Sequence, residues 1–141
     1  MWFCTVLHLR KTTTRVHMPL SILPKTDRYG ARPAIALNKA SVEMHGDSVG
    51  QYKHVVPDHG RAIFPMFCSK CGTNLGSTLE RFPNVQVINI GTLDNPDDVE
   101  VTIEMFSDEA LSCVAHKSSH TVFHHHRLNE DGSAAIPKVV D

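Results

Sequence analysis

The sequence has little of what identifies several large protein classes. Its 141 residues contain only four cysteines and 6% aromatic residues, and acidic and basic side chains nearly balance at 15 to 14. No apolar run approaches the roughly 18 residues that a membrane-spanning helix needs. A net charge of −1 gives no electrostatic signal for nucleic acid, a membrane surface or an acidic substrate. The length instead predicts one domain, large enough to bury a core.

The cysteines are also too few and too unevenly spaced for a secreted disulfide framework. They stand at Cys4, Cys68, Cys71 and Cys113. The chain begins with a short apolar stretch, residues 1–9, but its positive charges follow this stretch, whereas a signal peptide has them in front. We therefore expect a reduced protein located in the cytoplasm.

The hydrophobic pattern from residue 34 onwards is that of a β protein. Residues 34–37 are apolar, and residues 42–45 and 51–56 flank a Gly-Asp-Ser turn, which predicts a hairpin. Residues 61–67 form an apolar strand, and Pro65 places it at a sheet edge or at a bulge.

Three further strands are predicted after residue 80. Residues 85–90 are rich in β-branched residues and mostly apolar on both faces, as in a central strand. Residues 99–105 alternate between apolar and polar, which predicts a half-buried strand, and residues 110–115 form a last short one. No segment has a sustained helical period. The fold class is therefore mainly β, with about six short strands around one core.

The two ends of the chain have weaker patterns. Residues 1–33 form a poorly patterned N-terminal arm with three prolines, the domain covers residues 34–116, and residues 117–141 form a polar, histidine-rich tail. Four of the ten histidines, at positions 120 and 124–126, lie in this tail. They could bind a metal adventitiously, and a solvated tail is the alternative interpretation.

The most informative stretch is Phe67–Leu75, here called the cysteine knuckle. Its C-x-x-C spacing lets Cys68 and Cys71 reach one tetrahedral Zn²⁺ from a tight turn, and Gly72 supplies a positive φ. Backbone N–H groups of such a turn can point at the sulfurs. A closed zinc site needs four ligands. The candidates for the others are Cys4, His59, Cys113, His116 or a second copy of the chain. The alternative is a knuckle that no longer holds metal.

Two motifs about 20 residues apart give this knuckle a family context. The first is F-C-x-x-C-G-T-x-L within the knuckle, and the second is Gly91-Thr92-Leu93-Asp94. Together with Tyr52 and Arg61, they resemble the glutathione-dependent formaldehyde-activating enzyme / centromere protein V family. The resemblance implies an Mss4-like fold, a small two-sheet β structure pinned by zinc. It also implies carbon–sulfur lyase chemistry on a glutathione–formaldehyde adduct, with glutathione or that adduct as the ligand.

The sequence departs from the family pattern where the chemistry would occur. The family's structural zinc takes two further cysteines from an N-terminal C-x-C strand, which has no counterpart here. Its catalytic zinc takes thiolates from a C-x-C-x-x-C-R segment. Aligned with that segment, Cys4 and the pair Arg10-Lys11 match, but Val6 and Leu9 stand where thiolates belong. An aliphatic side chain has no lone pair for a metal.

Two functional hypotheses follow. One is a zinc-dependent, zinc-binding family member of the carbon–sulfur lyase type, which the family resemblance supports and the missing catalytic cysteines oppose. The alternative is a non-catalytic Mss4-like zinc-binding or interaction domain, or a truncated fragment of the family. Neither hypothesis identifies a catalytic residue or an oligomeric state.

Overall fold

The computed structural model describes most of the chain. It gives the backbone of residues 6–9 and 16–18, and it gives backbone and side chains for residues 32–57, 60–111, 116 and 118–139. The predicted C-terminal strand at residues 110–115 lies largely outside these described residues.

Strands are the main regular structure, so the prediction of a mainly β fold is confirmed. The described residues form eleven strands: β1 Val6–Leu9, β2 Val16–Met18, β3 Ala34–Asn38, β4 Val42–His45, β5 Val49–Gln51, β6 His54–Val55, β7 Ala62–Cys68, β8 Asn74–Leu79, β9 Phe82–Asn89, β10 Ile103–Glu104 and β11 Thr121–Val122. Helical structure in this part of the chain consists of 3-10 turns at Lys39–Ser41, Ile90–Thr92, Pro96–Asp98 and Ser107–Glu109.

Seven of the strands form one antiparallel sheet in the order β2-β3-β9-β8-β7-β5, with β6 also paired to β7. Two small sheets accompany it: β1 pairs antiparallel with β4, and β10 pairs parallel with β11. No helix among the described residues is long and apolar enough to cross a membrane.

The predicted central strand is confirmed. β9 lies between β3 and β8, and the side chains of its second half are buried on both faces. Ile88 is fully buried and forms the core with Ile35 and Ile90. Residues from β3, β4 and the segment after β9 pack around this core, namely Leu37, Val42, Met44, Leu93, Val99 and Val101.

Pro65 lies at a discontinuity of the sheet, as its lack of an N–H group predicts. The outer neighbour of β7 is interrupted there, because β5 pairs with Met66–Cys68 and β6 pairs with Ala62–Ile63. The Pro65 carbonyl accepts a 3.3 Å hydrogen bond from the N–H of Tyr52, which lies in the interruption. On the other side of β7 the register with β8 shifts at Met66/Phe67. A proline is tolerated there because little ladder bonding is lost.

The predicted hairpin between residues 42–45 and 51–56 is wrong. Both segments contain strands, but β4 pairs with β1 and β5 pairs with β7. A short turn allows the two flanking strands to pair with each other, but it does not prevent either from pairing with another strand. Here each of them pairs with a strand more distant in sequence. The N-terminal arm, which has no clear pattern, thus supplies β1 to β4 and β2 to the edge of the main sheet.

The predicted strand at residues 99–105 is largely wrong as well. Only Ile103 and Glu104 pair, with β11, while Val99 closes a 3-10 turn by donating to the Pro96 carbonyl at 3.1 Å. Val99 and Val101 nevertheless pack on the core. Alternation in a sequence reports which side chains are buried, and it does not require a neighbouring strand.

The C-terminal segment is not the loose tail that its composition predicts. Val122 is 1% exposed and Phe123 is 8% exposed, and the N–H of Phe123 donates to the Glu104 carbonyl at 2.7 Å. The His126 ring stacks on Phe82 with 5.6 Å between the ring centroids, and burial lowers its pKa. Apolar residues among the polar ones therefore dock this segment on the sheet.

Ion pairs hold the same segment to the 3-10 turn at Ser107–Glu109. Asp108 accepts from Lys138 Nζ and from His124 Nδ1, each at 2.8 Å, and these two donors lower its pKa to about 2. At the other end, Glu130 lies 2.6 Å from an Arg61 nitrogen and 3.5 Å from an Arg81 nitrogen.

Candidate metal centre

The cysteine knuckle connects β7 to β8 through a tight turn. Cys68 is the last residue of β7, and its carbonyl accepts from the Gly72 N–H at 2.7 Å while its own N–H donates to the Thr73 carbonyl at 2.9 Å. Gly72 has φ +75°, so the predicted need for glycine at this position is confirmed. The turn thereby holds both cysteines within one short loop.

The Cys68 sulfur is surrounded by donors. Its side chain is fully buried, which raises the pKa of the thiol, but the backbone N–H groups of Lys70 and Cys71 donate to the sulfur. Ser48 and the Cys71 thiol add side-chain hydrogen bonds, and together these donors lower the pKa to about 6. Such N–H···S contacts stabilise a thiolate, the form that binds metal.

Cys71 has different surroundings. It is exposed, and its sulfur lies 3.1 Å from the Thr73 hydroxyl oxygen. The turn at residues 46–48 braces this face of the knuckle, because the Ser48 carbonyl accepts from the Ser69 N–H at 2.6 Å and from its hydroxyl at 3.0 Å. One sulfur is thus inside the protein and the other faces outward.

The remaining zinc ligands are not found among the described residues. No group of three or more His, Cys, Asp or Glu side chains is arranged to hold a metal in that part of the chain. Of the predicted candidates, His116 is described and belongs to no such group, and its Nδ1 lies 2.5 Å from Glu104 Oε2. Cys4, His59 and Cys113 lie outside the described residues, as do Arg10 and Lys11. The described part of the knuckle thus offers two cysteines, fewer than the four ligands of a closed zinc site.

Glu104 gathers two histidines that the sequence does not mark as a group. His116 Nδ1 lies 2.5 Å and His120 Nδ1 2.6 Å from its two carboxylate oxygens, and His120 is only 10% exposed. A spacing of four residues between the histidines is the only signal in the sequence. Their contacts with a carboxylate make them part of the packing of the C-terminal segment, whereas composition alone suggests solvated side chains.

The two sequence motifs meet next to the knuckle. Asn89, which directly precedes the 3-10 turn at Ile90–Thr92, donates from Nδ2 to the Asn74 carbonyl at 2.8 Å and to Asn74 Oδ1 at 3.0 Å. The Thr92 hydroxyl donates a hydrogen bond to the Asn89 carbonyl at 2.7 Å. The pair of motifs is thus one structural unit at the start of β8 and the end of β9.

This unit lies within the match of a family model described as glutathione-dependent formaldehyde-activating enzyme, which covers residues 28–109. The chain belongs to this family. The matched span includes β3 to β10 of the fold together with the knuckle, and it ends before β11. No curated protein and no solved structure gives a significant match to the chain.

The contact between Asn89 and Asn74 predicts a specific loss of stability in this family member. Asn89 is 8% exposed and fastens β9 to the start of β8. Replacing Asn89 by alanine should lower the free energy of unfolding by about 2 kcal/mol, because two partly buried hydrogen bonds are lost. Urea denaturation measures this loss. The exposed Asn84 on the same strand is the control, and Asn84→Ala should change stability by less than about 0.5 kcal/mol. Equal effects of the two substitutions would contradict the prediction.

Proposed function

We propose that this chain is a zinc-binding domain of the glutathione-dependent formaldehyde-activating family in which Cys68 and Cys71 supply two thiolates and the metal stabilises the fold. The donors around the Cys68 sulfur carry this proposal. Two N–H groups and a hydroxyl aimed at a buried sulfur are of little use to a neutral thiol, but they stabilise a ligated thiolate.

The knuckle lies at a connection between two strands of the main sheet. It closes the β7–β8 connection, and its Ser69 is hydrogen-bonded to Ser48 ahead of β5. A metal bound there would tie this corner of the main sheet to whichever element supplies the other ligands. Cys4, His59, Cys113 and a second copy of the chain all stay open as that source. When bound, zinc supplies structural cross-linking of thiolates in a site of this type.

Carbon–sulfur lyase activity is the second candidate function, and membership of the family favours it. The sequence lacks thiolates that this activity uses in the family. Val6 and Leu9 occupy positions that thiolates hold in the catalytic segment of the family, and neither can bind a metal. We therefore propose that this chain recognises glutathione or a glutathione adduct, or a partner, in the cytoplasm without turning over the formaldehyde adduct.

Metal content and turnover test the proposal together. The full chain, purified under reducing conditions, should bind about one zinc per chain if one chain completes the site, or about one zinc per two chains if two copies share it. Glutathione-dependent consumption of formaldehyde should be absent, and an active family member assayed in parallel serves as the positive control. Two tightly bound zinc ions with turnover would establish the lyase, and a chain without metal would overturn the structural-zinc proposal.

A further inference from the structure

Two arginines from different parts of the fold hold one carboxylate between them. Glu130 Oε2 lies 2.6 Å from an Arg61 nitrogen, and Glu130 Oε1 lies 3.5 Å from an Arg81 nitrogen. Each oxygen of the carboxylate therefore faces a different guanidinium group. The pair Arg61 and Arg81 is here called the arginine clamp.

The sheet fixes the positions of both arginines. Arg61 directly precedes β7, and Arg81 lies in the two-residue turn between β8 and β9. The residues next to them are hydrogen-bonded across the sheet, because the Glu80 N–H donates to the Ala62 carbonyl at 3.0 Å and the Ala62 N–H donates to Glu80 Oε2 at 2.5 Å. Strand pairing thus sets the backbone positions of the two arginines independently of Glu130.

The Arg81 guanidinium is also held by uncharged groups. It lies over the Phe82 ring, 5.1 Å from the ring centroid, and it donates to the Asn129 carbonyl at 2.5 Å. An arginine that is already ordered loses less conformational freedom when it binds an anion. The Glu130 side chain, by contrast, is 66% exposed. A dissolved anion can therefore reach the position that the Glu130 carboxylate occupies.

A third arginine adds positive charge to this surface. Nε of Arg127 is buried and has no hydrogen-bond partner among the described residues. Burial lowers the pKa of His126, and the charges of Arg81 and Arg127 lower it further, so both guanidinium groups lie near that ring. A buried donor without an acceptor is unfavourable. The surface therefore has more donors and more positive charge than Glu130 satisfies.

Two other carboxylates nearby are engaged by backbone groups. Glu80 accepts from the Ala62 N–H, as described above, and Asp131 Oδ1 accepts from the Ser133 N–H at 2.9 Å and from the Ser133 hydroxyl at 2.6 Å. Glu130 is thus the one of these three carboxylates that an incoming anion would replace.

We propose that the arginine clamp binds phosphate dianions, either inorganic phosphate or a phosphate monoester, and that Glu130 occupies the clamp in their absence. Guanidinium groups bind phosphate oxygens through paired N–H donors. A dianion attracts the two guanidinium groups more strongly than the single charge of a carboxylate does. The clamp and the cysteine knuckle lie at opposite ends of β7 and β8, so this site does not depend on the proposed zinc function.

The test titrates inorganic phosphate into the full chain at slightly alkaline pH, where phosphate is mostly a dianion. The arginine side-chain N–H signals, followed by nitrogen NMR, report binding at the clamp. Glu130→Gln keeps the size of the side chain and removes its charge. We expect this variant to bind phosphate roughly tenfold more tightly than the wild type, because the competing carboxylate and its repulsion of the dianion are both removed.

Glu100→Gln is the matched control. It makes the same change in net charge at an exposed position outside the clamp, and it should leave the phosphate affinity unchanged within about twofold. An equal gain in affinity in both variants would show a general effect of charge and would overturn the proposal. A Glu130→Gln protein that binds no phosphate at millimolar concentration would overturn it as well.

Substitutions of Arg61 test the clamp itself. In the Glu130→Gln background, Arg61→Gln should weaken phosphate binding by roughly tenfold or more, because one of the two guanidinium groups is lost. Arg61→Lys keeps the charge without the planar fork, so it should bind severalfold more weakly than its Glu130→Gln parent. It also provides the answer if circular dichroism shows that Arg61→Gln does not fold. Phosphate affinity undiminished by these substitutions would place the site elsewhere.

Two further anions identify the class of ligand. Acetate is a monoanion like the Glu130 carboxylate, and it should bind at least tenfold more weakly than phosphate. Acetate binding as tight as that of phosphate would contradict a site for dianions. Glycerol phosphate then distinguishes the two sources of the dianion, since tighter binding than that of inorganic phosphate indicates a monoester and weaker binding indicates free phosphate.

Discussion

Replacing Gly76 by alanine is expected to leave the protein largely unfolded. Gly76 lies in β8 with φ +139°, and a Cβ there would overlap the Val87 carbonyl oxygen of β9. It would also lie 2.9 Å from the Val87 carbonyl carbon and 3.0 Å from the Ile88 Cα. All three obstructing atoms belong to the backbone of the central strand, so they cannot turn away as a flexible side chain would.

The expected cost is more than about 4 kcal/mol, which is exceptional for one substitution and close to the whole stability of a marginal domain. A methyl group can be accommodated only if β8 moves away from β9, and this separation would break the pairing of Gly76 with Ile88. Soluble yield, circular dichroism and thermal unfolding measure the effect.

Gly91→Ala is the matched control for this substitution. Gly91 lies in the 3-10 turn at Ile90–Thr92, and a Cβ built there meets no atom within 4 Å. We expect Gly91→Ala to fold and to differ from the wild type by less than about 1 kcal/mol. A Gly76→Ala protein as stable as the Gly91→Ala protein would mean that β8 and β9 are not in such close contact.

Cys68→Ser is expected to abolish the thermal stabilisation of the protein by zinc. A zinc concentration about 100 times the dissociation constant adds about 2.7 kcal/mol of stability, which corresponds to a rise in Tm of roughly 10 °C. A serine hydroxyl can still accept the N–H groups of Lys70 and Cys71, so the metal-free variant should stay folded. Differential scanning fluorimetry with added zinc and with a chelator measures the shift.

Lys70→Ala is the control for the knuckle. Lys70 lies between the two cysteines, and its side chain makes a surface ion pair of 3.1 Å with Asp47. The substitution keeps the backbone N–H that faces the Cys68 sulfur, so the zinc response should persist. A wild-type Tm that neither zinc nor chelator changes would show that the knuckle holds no metal.

Sequence patterns predicted two features of the fold best: a turn formed by residues close in sequence, and a strand that is unusually apolar. The knuckle was predictable because a C-x-x-C-G spacing determines a turn within a few residues, and the positive φ of Gly72 follows from it. β9 was predictable because a mostly apolar run rich in β-branched residues is typical of a strand covered on both faces.

The pairings between distant segments were not predictable in the same way. β4 has a readable pattern, but its partner is β1 in an arm whose sequence shows none. The pair β10–β11 has only two residues in each strand, too few for any period to appear. The histidines of the C-terminal segment are polar by composition, and only their positions beside Glu104 and Asp108 make them part of the packing.

The sequence by itself determined the family, the mainly β class and the two cysteines of the knuckle, because these depend on residue spacing along the chain. Tertiary structure alone decided that Cys68 is buried among donors while Cys71 faces outward. It also decided that the two motifs meet through Asn89 and Asn74, and that the C-terminal segment docks on the sheet. Burial and contact between distant residues arise from the packing of the whole chain, and residue spacing does not encode them in a form that can be read locally.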